Sequence, residues 1–331
     1  MRRPWLAPLA PLYAAGVALR NLRLEKGWET VQRLNWPVVS IGNLSTGGAG
    51  KTPLAITLAG LLRGRGFHVD VLSRGYGRRS TEPACVRPDG RAEEFGDEPM
   101  LMARADLPVY VARERYGAGL LAEIDRPAAT PPGVHLLDDG FQHRQLARDV
   151  DILLLNRADW RDTLLPAGNL RESVTAAKRA SVMAIPVEEP DLEAALRKWG
   201  WQGPIWRIAR RIQVPVVSGP AMAFCGIARP EQFFRGLESA GLRLAARKAF
   251  HDHHRYSARA MERLVAAARA AGAETLVTTE KDAVRLDGLA ATVPNGLPVV
   301  TVRLHTEIED ADGAADWLAA RLRARLGGAA L

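Results

Sequence analysis

The chain has 331 residues, of which 47% are hydrophobic and 25% are charged, a composition typical of a soluble α/β protein that excludes a disordered chain. Two cysteines, Cys85 and Cys225, are too few for a disulfide framework, so we expect a reducing compartment. Lysine and arginine outnumber aspartate and glutamate by 45 to 37, and this net charge of +8 favours an acidic partner such as a phosphorylated substrate, an anionic lipid or a nucleic acid.

The first 36 residues form a basic and apolar segment, with six basic and two acidic residues. No residue from Trp5 to Leu19 is charged, but this run is shorter than the ~20 residues that span a bilayer, and two prolines interrupt it. We predict an amphipathic helix from about Leu12 that lies in the headgroup region of a membrane with its arginines on anionic lipid. The alternatives are a helix packed on the domain's own core and a secretory signal, which fits poorly with cysteines that do not suggest export.

A glycine-rich loop follows the first predicted strand, at residues 38–41, and precedes apolar residues at helical spacing. Strand, loop and helix in this order are the context of a phosphate-binding loop, in which backbone N–H groups and the positive helix end bind phosphate oxygens. We predict that Lys51 reaches the outer phosphates and that the Thr52 hydroxyl ligates Mg²⁺. Ser45 departs from the usual GxxxxGK[ST] pattern, and the alternative is a glycine-rich turn that binds nothing. The predicted ATP-binding residues are Ser45, Thr46, Gly47, Gly48, Ala49, Gly50, Lys51 and Thr52.

Apolar runs alternate with helical patterns through the rest of the chain. This alternation predicts an α/β fold with a P-loop NTPase-type, mostly parallel sheet, helices on both faces and a second, smaller α/β lobe. We predict an N-terminal helix within residues 1–35, a P-loop core at 36–205 and a C-terminal lobe at 206–331. The further strands are predicted at 67–72, 134–137, 151–155, 222–225, 275–278 and 298–302, and the further helices at 231–240, 257–271 and 311–326.

Paired carboxylates, Asp138 and Asp139, follow the strand predicted at 134–137. Ligands of doubly wound sheets lie at the carboxyl ends of the strands, so these side chains are expected near the phosphate-binding loop. A carboxylate there holds Mg²⁺ on the β- and γ-phosphates, directly or through water. The alternative is a turn that caps a helix.

Two residues are candidates for the base that phosphoryl transfer to an alcohol requires. Asp97 stands at a predicted helix start, and His253 lies among three histidines in a predicted loop at 250–256. These histidines leave two alternatives open, a structural zinc site and ordinary surface or core residues.

These motifs together resemble the tetraacyldisaccharide 4′-kinases of lipid A biosynthesis. The resemblance runs from about residue 36 to about residue 302, and a serine or threonine at position 45 is similar to that family's own loop. It rests on the segments 42–53, 73–77, 96–99, 138–143, 164–172, 223–228, 252–254 and 278–285. Asn169 and His251 stand where prolines are common in the family, two loop changes that leave the functional groups in place.

The resemblance implies a kinase on the cytoplasmic face of the inner membrane of a Gram-negative-type cell. It implies transfer of the γ-phosphate of ATP, with Mg²⁺, to the 4′-hydroxyl of a tetraacylated glucosamine disaccharide 1-phosphate. Asp97 is then the catalytic base and His253 its partner, while Asp138 and Asp139 form the metal-side motif without an assignment of which one contacts the ion. The weaker candidates are Glu172 as a metal ligand and Asn43, Arg74, Tyr76 and Arg171 as substrate-binding residues.

Other function classes fit the chain less well. A P-loop ATPase or GTPase switch, or a metallochaperone-type factor, predicts hydrolysis without lipid and usually a cysteine or histidine metal motif. A nucleic-acid-binding protein is suggested by charge alone, because aromatic residues are 6% of the chain and do not interleave with basic ones. We therefore expect no nucleic acid, and no obligate protein partner is evident. Arginines after the second strand suit a phosphorylated headgroup, with a solvated surface cluster as the alternative.

Overall fold

The structure is a computed structural model that describes residues 3–47, 50–126, 132–286, 289 and 296–327. Gly48 and Ala49 of the predicted ATP-binding loop lie outside the described residues. The strands are β1 (Val38–Asn43), β2 (His68–Ser73), β3 (Ala84–Cys85), β4 (Val109–Val111), β5 (Gly133–Asp138), β6 (Val150–Leu154), β7 (Val182–Pro186), β8 (Ile205–Gln213), β9 (Ala221–Cys225), β10 (Leu244–Ala249), β11 (Thr275–Thr279) and β12 (Val299–Ile308).

Helices connect most of these strands, as the alternating apolar pattern predicts. They are α1 (Ala10–Glu25), α2 (Lys51–Gly64), α3 (Ala92–Phe95), α4 (Asp97–Arg104), α5 (Arg115–Asp125), α6 (Arg157–Trp160), α7 (Pro190–Lys198), α8 (Pro230–Ser239), α9 (Ala258–Ala270), α10 (Glu280–Leu286) and α11 (Ala311–Gly327), with 3₁₀ turns at Pro4–Leu9 and Val174–Arg179.

The described strands form one mixed sheet in the order β10-β9-β11-β12-β8-β7-β6-β1-β5-β2-β4-β3. Every pairing is parallel except β3 with β4 and β12 with β8. The predicted mostly parallel α/β sheet is confirmed. We call the part built on β1–β8 the first lobe and the part built on β9–β11 with α8–α10 the second lobe.

Strand β12 joins the two lobes. Its first half, Val299–Val302, pairs in parallel with β11, and its second half, Arg303–Ile308, pairs antiparallel with β8. The chain then returns to the first lobe, where Leu318 and Leu322 of α11 lie in the same hydrophobic core as Leu58 of α2. The boundary between the two lobes at residue 205 stays a prediction, but residues 303–327, which were assigned to the C-terminal lobe, pack with the first lobe. The strand predicted at 298–302 extends to residue 308.

The carboxyl ends of three parallel strands meet at one edge of the sheet. In the register of β1 with β5, Ile41 lies beside Asp138, and β5 pairs on its other side with β2. All six residues of β1 and all six of β5 are buried, as expected of strands covered on both faces. This edge carries the glycine-rich loop after β1, Ser73 at the end of β2 and the aspartates after β5.

The N-terminal segment begins with a 3₁₀ turn and continues as α1, two residues earlier than the predicted start at about Leu12. Trp5, Leu12 and Leu19 recur at helical spacing and are exposed. The contacts of α1 with the first lobe are largely polar, including a hydrogen bond of 3.0 Å from the Tyr13 hydroxyl to the carbonyl of Arg171. Within the described ranges, every helix is too short or too polar to cross a bilayer.

Candidate active site

The glycine-rich loop ends where α2 begins. Gly50 precedes the helix with a φ of +82°, in the left-handed region where a side chain is strained. A Cβ at this position would also lie 2.9 Å from Nε of Arg210. Lys51 and the buried Thr52 form the first turn of α2, whose unpaired N–H groups attract phosphate.

Ser45 replaces the first glycine of the usual loop pattern without leaving its side chain unpaired. It is 2% exposed, and its hydroxyl accepts a hydrogen bond of 3.1 Å from the side-chain amide of Asn43. The same amide donates to the Ser45 carbonyl at 2.9 Å. The departure from the pattern therefore helps to fix the backbone at the start of the loop.

The ammonium of Lys51 lies in a polar network below the loop. Its Nζ is 3.0 Å from Oδ1 of Asn43 and 3.2 Å from Oδ1 of Asp139. Arg171 donates two hydrogen bonds of 2.8 Å to the Asp139 carboxylate and one of 2.7 Å to Oδ1 of Asn43. Burial opposes ionisation of Asp139, but Arg171 and Lys51 hold its pKa well below the ordinary value. Asp139 is thus a fixed anion that positions the lysine.

Asp138 has the opposite environment. Its carboxylate is 3% exposed, the Ser73 hydroxyl donates to Oδ2 at 3.4 Å, and Oδ1 has no hydrogen-bond partner among the residues described. Burial, followed by the charges of Glu98 and Asp139, raises the pKa of Asp138 to about 7. A buried carboxylate oxygen without a partner is one that a cation stabilises.

Asp97 is the first residue of α4, after Gly96 with a φ of +94°. Its Oδ2 accepts a hydrogen bond of 2.8 Å from Nδ1 of His253 and one of 2.5 Å from Nε of Arg285. Burial opposes ionisation, but the hydrogen bond with His253 and then the charge of Arg285 hold the pKa of Asp97 below its ordinary value. The hydrogen bond that His253 donates to Asp97 in turn raises the pKa of His253. The first lobe supplies this carboxylate, and the second lobe supplies its partners.

Arg285 is itself fixed by the second lobe. Its Nη1 donates to the Gly226 carbonyl at 2.6 Å and to Oδ1 of Asp282 at 3.1 Å. The fully buried Asp282 also accepts from the Tyr256 hydroxyl at 2.9 Å. Arg285 lies in a motif of the family resemblance, but it is not among the predicted site residues, because nothing local in the sequence links it to Asp97.

A large cavity of about 1640 Å³ lies between the two lobes. Asp97 is not itself a lining residue, but its carboxylate is hydrogen-bonded to His253, which lines the cavity. The predicted site residues that line it are Thr46, Gly47, Gly50, Lys51, Thr52, Arg74, Tyr76, Asp138, Asp139, Arg171 and His253.

Besides Asp97, three predicted residues lie away from the cavity wall. Asn43 and Ser45 are buried supports of the loop. Glu172 is 1% exposed, and its carboxylate accepts hydrogen bonds of 2.9 and 3.2 Å from Arg179. The structure therefore places Glu172 in a buried ion pair rather than with Thr52 and Asp138.

The cavity wall beyond the loop is basic. Arg74 and Arg115 line it together with His143. Burial and then the charges of Arg115, Arg148 and Arg74 lower the pKa of His143 to about 3, so this ring is neutral among cations. Arg115 and His143 were not among the predicted site residues, because a cluster of residues up to 69 positions apart in the chain has no local signal. The three histidines near residue 253 are not arranged as a zinc site. Among the described residues, no three or more His, Cys, Asp or Glu side chains are grouped so that they could hold a metal ion.

Comparisons with known proteins agree on one family. The family model described as tetraacyldisaccharide-1-P 4′-kinase matches residues 2–323. A tetraacyldisaccharide 4′-kinase of Koribacter versatilis is 44% identical over 97% of this chain and 99% of its own, and one of Geobacter metallireducens is 39% identical over 85% and 88%. A crystal structure titled as the "apo" form of LpxK from Aquifex aeolicus in complex with ATP has a TM-score of 0.77 and 32% identity, and covers 96% of this chain and 98% of that one.

Proposed function

Because the chain belongs to the tetraacyldisaccharide-1-phosphate 4′-kinase family, and is therefore a phosphotransferase of lipid A biosynthesis, we propose that Asp97 is its catalytic base. The acceptor is the 4′-hydroxyl of the tetraacylated disaccharide 1-phosphate, and the donor is ATP. The observation that carries the proposal is the placement of Asp97: a carboxylate from the first lobe, bound by two side chains of the second lobe, beside the cavity that also contains Lys51.

The donor site is the loop before α2. The N–H groups of the first turn of α2 bind phosphate oxygens, and Lys51 moves from Asn43 and Asp139 onto the outer phosphates. Arg171 keeps Asp139 in place during this exchange, because its guanidinium binds both carboxylate oxygens. Asn43 and Arg171 therefore support the donor site, in addition to the substrate-side role expected from the sequence.

The acceptor hydroxyl is activated by Asp97. The carboxylate is ionised, because its pKa lies below the ordinary value, and it accepts the proton of the hydroxyl as the hydroxyl oxygen attacks the γ-phosphorus. His253 and Arg285 fix the orientation of the carboxylate and hold its negative charge. In the same step the bond from the γ-phosphorus to the β–γ bridging oxygen breaks, and its electron pair remains on ADP.

We assign Mg²⁺ to Thr52 and Asp138. The unpartnered buried oxygen of Asp138 fits a hard cation, and Mg²⁺ in kinases is held by one or two protein ligands together with phosphate oxygens. When bound, the ion neutralises negative charge on the β- and γ-phosphates. We leave Glu172 out of this set, since Arg179 occupies its carboxylate.

The disaccharide is bound along the basic wall. Arg74 and Arg115 are suited to a phosphorylated headgroup, and the exposed ring of Tyr76 lies 5.5 Å from the ring of His253, where it can cover a sugar. The neutral His143 adds a hydrogen-bonding group without adding charge.

The acyl chains explain the N-terminal segment. Trp5, Leu9, Leu12 and Leu19 expose an apolar stripe, and we propose that it lies in the cytoplasmic leaflet of the inner membrane. Arg23 and Lys26 are placed to contact anionic headgroups at the end of the same helix.

The test of the base is Asp97→Asn, which keeps the size of the side chain and removes the charge. We expect turnover of the lipid substrate to fall by about 10²- to 10⁴-fold, the usual contribution of a general base, while the Kd for ATP changes less than about three-fold. The measurements are lipid phosphorylation with labelled ATP and equilibrium binding of a non-hydrolysable ATP analogue.

The matched control is Asp106→Asn, an exposed aspartate just after α4 whose positive φ also suits asparagine. It keeps normal turnover. An Asp97→Asn enzyme with near-normal turnover would contradict the proposal.

A further inference from the structure

Lys281 is a lysine of the second lobe that lines the same cavity as Lys51. It lies in the first turn of α10, and its ammonium forms a close ion pair with the carboxylate of Glu98, the second residue of α4. The two side chains are 26% and 29% exposed, and both line the cavity that contains Lys51. Neither member of this pair is among the residues predicted from the sequence.

The two lysines face the same group of carboxylates. The charge of Lys281 lowers the pKa of Glu98 and burial opposes this effect, while the hydrogen bond from Lys281 and then the charge of Lys51 lower the pKa further. Asp138 and both lysines line the same cavity. Lys281 therefore lies in the region that the phosphates enter, together with the carboxylate of the proposed metal site.

Helix α10 places its two cations in different surroundings. Arg285, one turn after Lys281, is 4% exposed and is fixed by Asp97, Asp282 and the Gly226 carbonyl. Lys281 has Glu98 as its one close ion-pair partner within the described part of the chain, and it faces the cavity. A planar guanidinium suits a fixed network, whereas a flexible ammonium with three donors suits exchange between partners.

A purely structural ion pair is the simpler alternative. Such a pair between lobes adds little stability, because removing two charges from water offsets most of their attraction. A structural role also does not explain why both side chains line the nucleotide cavity. Entry of a triphosphate brings several negative charges beside Glu98, so the most favourable position of the ammonium shifts from Glu98 to the phosphate oxygens.

We propose that Lys281 is a second catalytic lysine, which leaves Glu98 when ATP binds and donates N–H bonds to the oxygens of the transferred γ-phosphoryl group. The inference rests on the proposed function, with Asp97 taking the proton of the 4′-hydroxyl and the electron pair of the broken P–O bond staying on ADP. Lys281 forms and breaks no covalent bond. Because it comes from the second lobe, the site is complete only when both lobes are in contact.

The test compares Lys281→Met with Glu98→Gln. For Lys281→Met we expect kcat to fall by about 10²- to 10³-fold, the usual effect of removing one donor to a transition-state charge, with a Kd for ATP raised by less than about ten-fold. Glu98→Gln removes the competing anion, so we expect ATP to bind more tightly and kcat to fall far less. Lys281→Arg, which keeps the charge, restores part of kcat.

The control is Lys198→Met, an exposed lysine at the end of α7, which keeps normal kcat and Kd. Thermal unfolding of each variant shows that it is folded. If the ion pair is only structural, Lys281→Met and Glu98→Gln lower kcat to the same extent and change the Kd for ATP in the same direction. The double variant then has the same kcat as either single variant. That result would overturn the proposal. Asp97→Asn tests the base separately, so failure of one assignment is distinguishable from failure of the other.

Discussion

Asp138 and Asp139 are adjacent in sequence but differ in their electrostatic surroundings. Asp139 has a φ of +49°, which turns it from the strand direction toward Arg171 and Lys51. Asp138 ends β5 and keeps one oxygen without a partner in the described structure. The sequence showed two carboxylates at a strand end, but the backbone angle that gives the two aspartates different neighbours has no signature in residue type.

A buried histidine outside the site makes stability depend on pH. His135 of β5 is fully buried, 2.7 Å from Oδ1 of Asp70, and stacks on the Trp36 ring. Burial alone would lower its pKa, but Asp70 and then Glu123 raise it to about 9. Because the folded pKa exceeds the unfolded value of about 6.5, the stabilisation is fully present below that value and is lost as the pH rises through 9.

We therefore expect the free energy of unfolding to fall by ~1–3 kcal/mol between pH 6 and pH 9.5 through this group. In His135→Gln, which cannot be protonated, this part of the pH dependence disappears. Urea unfolding of both proteins at each pH measures the difference. Equal pH dependence in the two proteins would show that His135 is not charged in the folded state.

At the scale of elements, the N-terminal segment differs most from an ordinary helix of the domain. Its 3₁₀ turn and α1 bury Leu24 but expose Trp5, Leu12 and Leu19, so the body of the protein leaves this apolar stripe uncovered. The uncharged run and the arginines that follow it made the helix predictable from sequence. Its docking through Tyr13 and Asn21 onto residues 171 and 172 was not, because these contacts join distant parts of the chain.

Leu12→Asp with Leu19→Asp is expected to weaken binding to anionic vesicles by at least about ten-fold, since each leucine contributes ~1.5–3 kcal/mol when buried in an apolar phase. Flotation with vesicles containing phosphatidylglycerol measures the bound fraction. The control is Ile124→Asp on α5, a residue 78% exposed elsewhere on the surface. Undiminished flotation of the double variant would exclude this stripe as the membrane contact.

At the scale of the whole molecule, the proposed catalytic site is built from residues of both lobes. The strand, loop and helix around Lys51 were predictable because a phosphate-binding loop is local in sequence. The pairing of Asp97 with Arg285 was not, because the two residues are 188 positions apart. Strand β12 pairs with β11 in its first half and with β8 in its second half, an arrangement that depends on residues distant in sequence. The apolar run at 298–302 therefore could not show where this strand ends.

In the proposed mechanism, the second lobe positions the carboxylate of the first lobe that acts as the base. The most direct measurement is kcat for Arg285→Met, first in the natural chain and then in the Asp97→Asn background. If Arg285 acts through Asp97, we expect its loss to lower kcat by about 10- to 100-fold in the natural chain and to have almost no further effect once Asp97 is replaced, because residues that act as a unit are not additive. Two losses that multiply, or an Arg285→Met enzyme with natural turnover, would contradict the account.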